Sequence, residues 1–152
     1  MSPPDIILTG ERLEIGALNA RLKTGADSGA VSTFTGYVRG GDALTALELL
    51  HHPVMTRAAL ERIAGTVMTR FGVGALLIAH RYGRMPVAEP IVHIAAAAPH
   101  RRAALDGVSF AIDVLKTQAP FWKREWRGDT YDWIEPTPDD HAKAAHWLET
   151  GS

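Results

Sequence analysis

An α+β fold is what this sequence predicts, and three observations carry it. Short runs rich in β-branched and aromatic residues are broken by two stretches of helical periodicity. The strand runs come in succession instead of alternating singly with helices, which favours helices on one face of a mainly antiparallel sheet. The chain has 152 residues, 46% hydrophobic and 22% charged, the size and apolar content of one globular domain. Residues 1–152 are therefore read as a single domain with room for a small subdomain.

The elements follow in order. The head holds an extended piece at 5–8 and a short helix at 15–22, and "KTGADSG" is a loop. "AVSTFTGYVRG" reads as a strand, Gly40–Asp42 as a turn, and "ALTALELLHH" as the returning strand. Pro53 opens a helix with Val54, Ala58, Ile63, Val67 and Phe71 on one stripe, ended by Gly72 and Gly74. "ALLIAHRYG" and "EPIVHIAAAA" read as strands joined by the loop "RMPVA". A second helix runs from about His100 to Thr117, with Leu105, Val108, Ile112 and Leu115 at amphipathic spacing. Pro120 forbids its continuation. "FWKREWR" and "TYDWIE" are strands either side of "GDT", and "DDHAKAAHWL" is a terminal helix with Asp139 or Asp140 as N-cap.

Composition excludes several classes. A net charge of −1 and a pI near 6.6 do not suit a chain that coats nucleic acid or anionic lipid, so any cationic site is local. With no cysteine, the chain has no disulfide, thiolate metal site or cysteine nucleophile. The N-terminus lacks a signal-peptide pattern and no apolar run is long enough to span a bilayer, so a cytoplasmic protein is expected. The seven histidines show no HxxxH or HExxH spacing, and His51 and His52, neighbours on a strand, point to opposite faces. No metal is expected. His80 and His93, within strands, read as satisfied core or edge residues. Dinucleotide, P-loop and nucleophile-elbow motifs are missing, and no cofactor is expected.

Three spots remain. In "LKTQAPFWKREWRGD", Lys116 falls on the last turn of a helix and Lys123 on the strand that leaves it. Alternation puts Phe121, Lys123 and Glu125 on one face and Trp122, Arg124 and Trp126 on the other. The two lysines either converge on a pocket, each lowering the other's pKa, or serve structure alone. In the second case Lys116 complements the helix dipole and Lys123 snorkels from an edge strand. "PHRR", residues 99–102, sets a histidine and arginines at a helix N-terminus, where cations oppose the dipole and anions bind. Arg39 ends a strand just before Gly40-Gly41.

Taken together, "FTGYVRG", "LELLHHPVM", "HRYG", "PHRRAALDGVSFAIDVLKTQAPFWKRE" and "DWIE" make the chain resemble the catalytic subunit family of molybdopterin synthase, from about Gly29 to Trp147. The resemblance implies an α/β-hammerhead fold with an antiparallel sheet and an added β-rich subdomain, and a homodimer at the centre of a heterotetramer. It implies transfer of two sulfurs to cyclic pyranopterin monophosphate, giving the dithiolene of molybdopterin. The sulfur donor would be a small ubiquitin-like subunit ending in a Gly-Gly thiocarboxylate, which suits a chain without cysteine. Substrate-binding positions carry over as Tyr37, Val38, Arg39, His100, Arg101, Lys116, Lys123, Arg124 and Glu125, with Lys116 and Lys123 catalytic. The loop after Arg39, "GGDALT", is shorter than the family's, and Arg102 beside Arg101 leaves two arginines for one phosphate. A non-catalytic scaffold for a ubiquitin-like partner and an RNA-binding α+β module are the alternatives.

Overall fold

The computed structural model describes residues 2–150. In chain order the elements are β1 (Asp5–Thr9), α1 (Ile15–Arg21), β2 (Ala30–Tyr37), β3 (Ala46–His51), α2 (Pro53–Phe71), β4 (Ala75–Arg81), β5 (Gly83–Pro86), β6 (Pro90–Ala98), α3 (Arg101–Gln118), β7 (Phe121–Arg127), β8 (Thr130–Ile134) and α4 (Pro138–Thr150). The α+β class is as expected, and the strands divide into two four-stranded sheets, β1-β4-β6-β2 and β5-β3-β7-β8.

The first sheet is built on the two most apolar runs. Every residue of β4 is buried and nearly every residue of β6, as continuous apolar strands covered on both faces must be. Leu76, Ile78, Ile94, Ala96 and Ala98 face a core with Leu60, Ile63 and Val67 of α2 and Val108, Ala111 and Val114 of α3. Leu77, Ala79 and Ala95, pointing the other way, meet Leu13 and Leu18 of the α1 region. The helices are thus not all on one face: α1 covers the back. α2 and α3 meet closely at Gly107, where an added Cβ would lie 2.9 Å from a Val73 methyl and 3.2 Å from one of Val67.

Several expectations need correction. Val54 is 73% exposed, and Ala58 is exposed too. The buried stripe of α2 instead runs through Thr56, Ala59, Leu60, Ile63, Ala64, Val67 and Met68, which places the larger Leu60 and Met68 side chains in the core. Leu105 of α3 is likewise exposed. β3 does not return along β2. After β2, Val38 N–H donates to Glu89 O (2.9 Å) and Ala88 N–H to Val38 O (2.8 Å), holding the chain beside β6. Gly41, Asp42 and Ala43 then adopt positive φ (111°, 53°, 60°) and turn it into the second sheet. There β3 pairs with β5 and β7. "RMPVA" also contains part of a strand, since β5 lays the fully buried Met85 opposite Leu47. Its Pro86 closes an edge strand, where a missing donor costs least.

α4 is capped by Thr137, not by Asp139 or Asp140. Asp140 N–H donates to Thr137 Oγ1 (3.1 Å) while the Asp140 carboxylate accepts from Thr137 N–H (2.9 Å), the reciprocal arrangement of a capping box.

Candidate active site

Local chemistry brings the end of α3 and the start of β7 to one place. Pro120 ends the helix, and Thr56 pins the corner. Its buried hydroxyl donates to Pro120 O (2.8 Å) and accepts from His52 N–H (3.2 Å). His52 in turn caps α2, its ring nitrogen accepting from Met55 N–H. β7 then runs antiparallel to β3 with Lys123 opposite Leu49. Phe121 and Lys123, on one face of the strand, close a cavity of about 170 Å³ that both sheets and α3 line. Phe34, Leu47 and Leu115 are among its apolar walls, and Tyr37, His80, Lys116, Lys123 and Asp140 are its titratable groups.

The electrostatics follow from this enclosure. Burial pushes the Lys123 ammonium below its ordinary pKa, and the Lys116 charge pushes the same way, while Asp140 and Glu125 pull it back up. Burial holds the His80 imidazole down at about 4, with Lys123 and His51 adding to the effect and the hydrogen bond to Arg81 O opposing it. For Asp140, burial alone would raise the carboxyl. Its Thr137 hydrogen bonds and the two lysine charges win, and it lies below the usual range. The arrangement can hold an anion and move a proton in a dry, apolar setting.

The other sequence-predicted residues fall in different places. Tyr37 lines the cavity, and Glu125 shares a strand face with Lys123. Val38 is 2% exposed and packs with Leu47, Leu49 and Met85. Arg39 is exposed two residues beyond Tyr37. His100 and Arg101 are exposed at the first turn of α3, with Lys116 at the other end, about 22 Å away along the axis at 1.5 Å per residue. Arg124 points away from the lysines. Its Nε donates to Glu48 Oε1 (3.1 Å) and a terminal nitrogen lies 3.0 Å from the same oxygen in an ion pair, while Trp126 Nε1 also donates to it (2.9 Å). Trp122 is 52% exposed and lines no part of the cavity, so it does not help to dry it.

His80 and Asp140 are cavity residues that sequence reasoning missed. His80 was expected in the core, as His93 is, whose ring nitrogens meet Thr35 Oγ1 and Asn19 Oδ1 at 2.7 Å each. Nothing in "ALLIAHRYG" tells the two histidines apart, because the cavity is made by strands distant in sequence. Among the described residues no three His, Asp or Glu side chains gather as metal ligands.

A two-sheet α+β scaffold with paired lysines in an apolar cavity is a setting in which a small anionic group can be held. A family model described as "MoaE protein" matches residues 8–118. The chain is 41% identical over 150 residues to the molybdopterin synthase catalytic subunit of Rhizobium meliloti (strain 1021), covering 96% of this chain and 97% of that one. The solved molybdopterin biosynthesis MoaE protein from Burkholderia ambifaria MC40-6 superposes with a TM-score of 0.77 at 36% identity, over 95% of this chain and 98% of that one. Molybdopterin synthase from Staphylococcus aureus gives 0.77 at 26% identity, over 88% and 98%. The chain belongs to the MoaE protein family.

Proposed function

We propose that this chain is the catalytic subunit of a molybdopterin synthase and acts as a sulfurtransferase on cyclic pyranopterin monophosphate. The observation that carries the reading is the convergence of Lys116 and Lys123 on one apolar cavity, which a scaffold would not need. Sulfur comes from a partner, since this chain has no cysteine. The partner is a small ubiquitin-like subunit whose Gly-Gly thiocarboxylate enters the cavity, glycine passing where a Cβ would clash. The thiocarboxylate sulfur attacks a carbon that carries an ester oxygen of the cyclic phosphate, and that carbon–oxygen bond breaks, leaving the phosphate as a monoester on its other carbon. Lys116 supplies the essential proton transfer or stabilises the oxyanion, and Lys123 assists by charge, with Glu125 to orient it. Water then releases the spent carboxylate, and a fresh small subunit brings the second sulfur.

Arg39, His100 and Arg101 hold the phosphate and pterin by charge-assisted hydrogen bonds. One chain cannot fold its own α3 end to end, so His100 and Arg101 serve the lysine cavity of the second copy in a homodimer, and two small subunits complete a heterotetramer. Mixing a Lys116→Ala chain with an Arg101→Ala chain tests this. Restored turnover in the mixed dimer is the expected result, and none is the contrary one. The protein works in the cytoplasm, and no helix of the described residues is long and apolar enough to cross a membrane. The near-neutral charge disfavours the RNA-binding alternative. The direct test is product formation from thiocarboxylated partner and precursor. Partner binding without product would leave a scaffold.

A further inference from the structure

Sulfur transfer as described gives no work to His80, a polar group of the cavity lining. It lies at the end of β4, paired with Leu8 and Val92, and is 4% exposed. Its Nδ1 is 3.0 Å from the Arg81 carbonyl oxygen. A carbonyl only accepts, so Nδ1 carries the proton and Nε2 the lone pair. One ring face stacks on Phe121, centroids 4.1 Å apart at 21°. Hydrogen bond and stack together fix the ring. Nε2 has no protein partner, yet the sealed side-chain nitrogen or oxygen lacking one, among the described residues, is Arg81 Nε alone. His80 Nε2 is therefore not sealed off, and its residue lines the cavity.

The other titratable groups there are poorly placed to take a proton from water. Lys116 and Lys123 are the cations on which the anion site depends. The Asp140 carboxylate is engaged by Thr137 N–H and by the lysine charges. Tyr37 is half exposed at the rim, on the solvent side of the cavity. Burial with the nearby Lys123 and His51 keeps the His80 ring neutral through the physiological range.

We propose that His80 is the general base for the hydrolytic half of each sulfur transfer, taking a proton from the water that releases the spent tail. The inference rests on the sulfur-transfer reading above. After the thiocarboxylate sulfur has bonded to the pterin side chain, the small subunit's last glycine is held to it as a thioester. Water oxygen bonds to that acyl carbon while its proton passes to Nε2. The carbon–sulfur bond to the acyl group breaks, the glycine leaves as a carboxylic acid that ionises, and sulfur stays on the pterin as a thiolate. The imidazolium returns its proton to that thiolate. Lys123, two residues along the same strand face from the Phe121 that stacks on His80, is placed to stabilise the tetrahedral oxyanion.

The experiment is single turnover with thiocarboxylated small subunit and precursor, quenched and read by intact mass. Two variants guard against misfolding: His80→Phe keeps the stack on Phe121, and His80→Asn keeps a donor near the Nδ1 position. In folded variants a covalent small subunit–pterin adduct, released by hydroxylamine, should accumulate, and product formation should fall by about a hundredfold or more. A purely structural histidine would lower yield and melting temperature without any adduct. Wild-type product rates from both variants would overturn the assignment, and so would folded variants giving neither adduct nor product, since His80 would then act before the thioester forms. A wild-type protein that makes no product would instead remove the sulfur-transfer reading and this inference with it.

Discussion

On β7 the side chains of Lys123 and Arg124 leave the backbone in opposite directions and meet opposite surroundings. Lys123 enters a cavity where burial and Lys116 disfavour its charge. Arg124 enters a sheet face where Glu48 favours its charge and the rings of Tyr131 and Trp133 lie 4.6 and 5.1 Å from its guanidinium. Adjacent cations thus differ in kind. The outer one is satisfied by its fixed partners and holds the sheet together. The inner one is left short of counter-charge, the condition in which a cation seeks an anionic ligand or gives up a proton.

The sharpest way to break this comparison is to truncate each cation in turn. Lys123→Ala should lower turnover by about a thousandfold, within the range of positioned proton-transfer and charge groups. Its melting temperature should hold or rise, because a desolvated cation is removed. Arg124→Ala should do the reverse, losing stability while the folded fraction keeps its turnover. Product assays and thermal melts on both proteins decide it. Equal loss of turnover from the two would mean that substrate reaches both faces of the strand.

The next effect separates the faces by pH. His80 has a folded pKa of about 4 against 6.5 for the free residue. Between those values the unfolded chain binds a proton that the folded chain refuses, so stability falls as pH drops through the window. The loss is roughly 3 kcal/mol by pH 4 at 1.36 kcal/mol per unit. His51 and His93, also lowered by burial, act in the same direction. Glu48 behaves differently: its folded pKa is lowered, chiefly by Arg124, so its contribution is intact above 4.5 and is lost only as pH falls through the lower folded value. Denaturant melts from pH 7 to 3 should show an early loss that His80→Phe reduces and a later one that Glu48→Gln reduces. An unchanged slope in His80→Phe would contradict a neutral buried imidazole.

Much of this was legible in the sequence, for physical reasons that particular residues show. The Lys116–Pro120–Lys123 corner could be read because a proline break fixes where the helix ends and strand alternation fixes which side chains share a face. Phe121 and Lys123 do share one, and Arg124 and Trp126 share the other. The partners of those faces were not legible. Glu48 lies 76 positions from Arg124, and no local pattern announces the pair. The pairing of β3 depended on the positive φ of Asp42 and Ala43, residues whose type does not require it. β5 escaped notice because four residues ending in proline carry almost no strand signal. His80 was invisible as a cavity residue because burial and function share one sequence signature until the opposing wall is known. The separation of His100 and Arg101 from Lys116 follows from helix length alone.

A smaller effect tests how much the outer network holds. Glu48→Ala removes the acceptor shared by Arg124 and Trp126. The side chains of the ion pair are only 18% and 20% exposed, but solvent still reaches them and screens the charge. The cost should be about 1 kcal/mol, read as a shift in urea midpoint, with turnover of the folded protein retained. A loss several times larger would mean that the ladder of Trp126, Tyr131 and Trp133 collapses without its central carboxylate.

The smallest effect belongs to Trp122, and it discriminates between a bare outer face and a covered one. Its neighbours in sequence are Phe121 and Lys123, both in the cavity wall, so proximity along the chain would assign it to the site. Geometry assigns it elsewhere, since alternation turns it outward and leaves it 52% exposed. An exposed side chain without fixed partners contributes little to folding, so Trp122→Ala should change stability by no more than about 0.5 kcal/mol. Turnover should match wild type, because no cavity wall is lost. Sedimentation or size-exclusion measurements should run beside the assay. If turnover drops while the variant falls apart into smaller species, Trp122 is covered in the assembly and the outer face of β7 is an interface. If turnover drops with the assembly intact, the cavity extends around the strand and the division between its two faces is wrong.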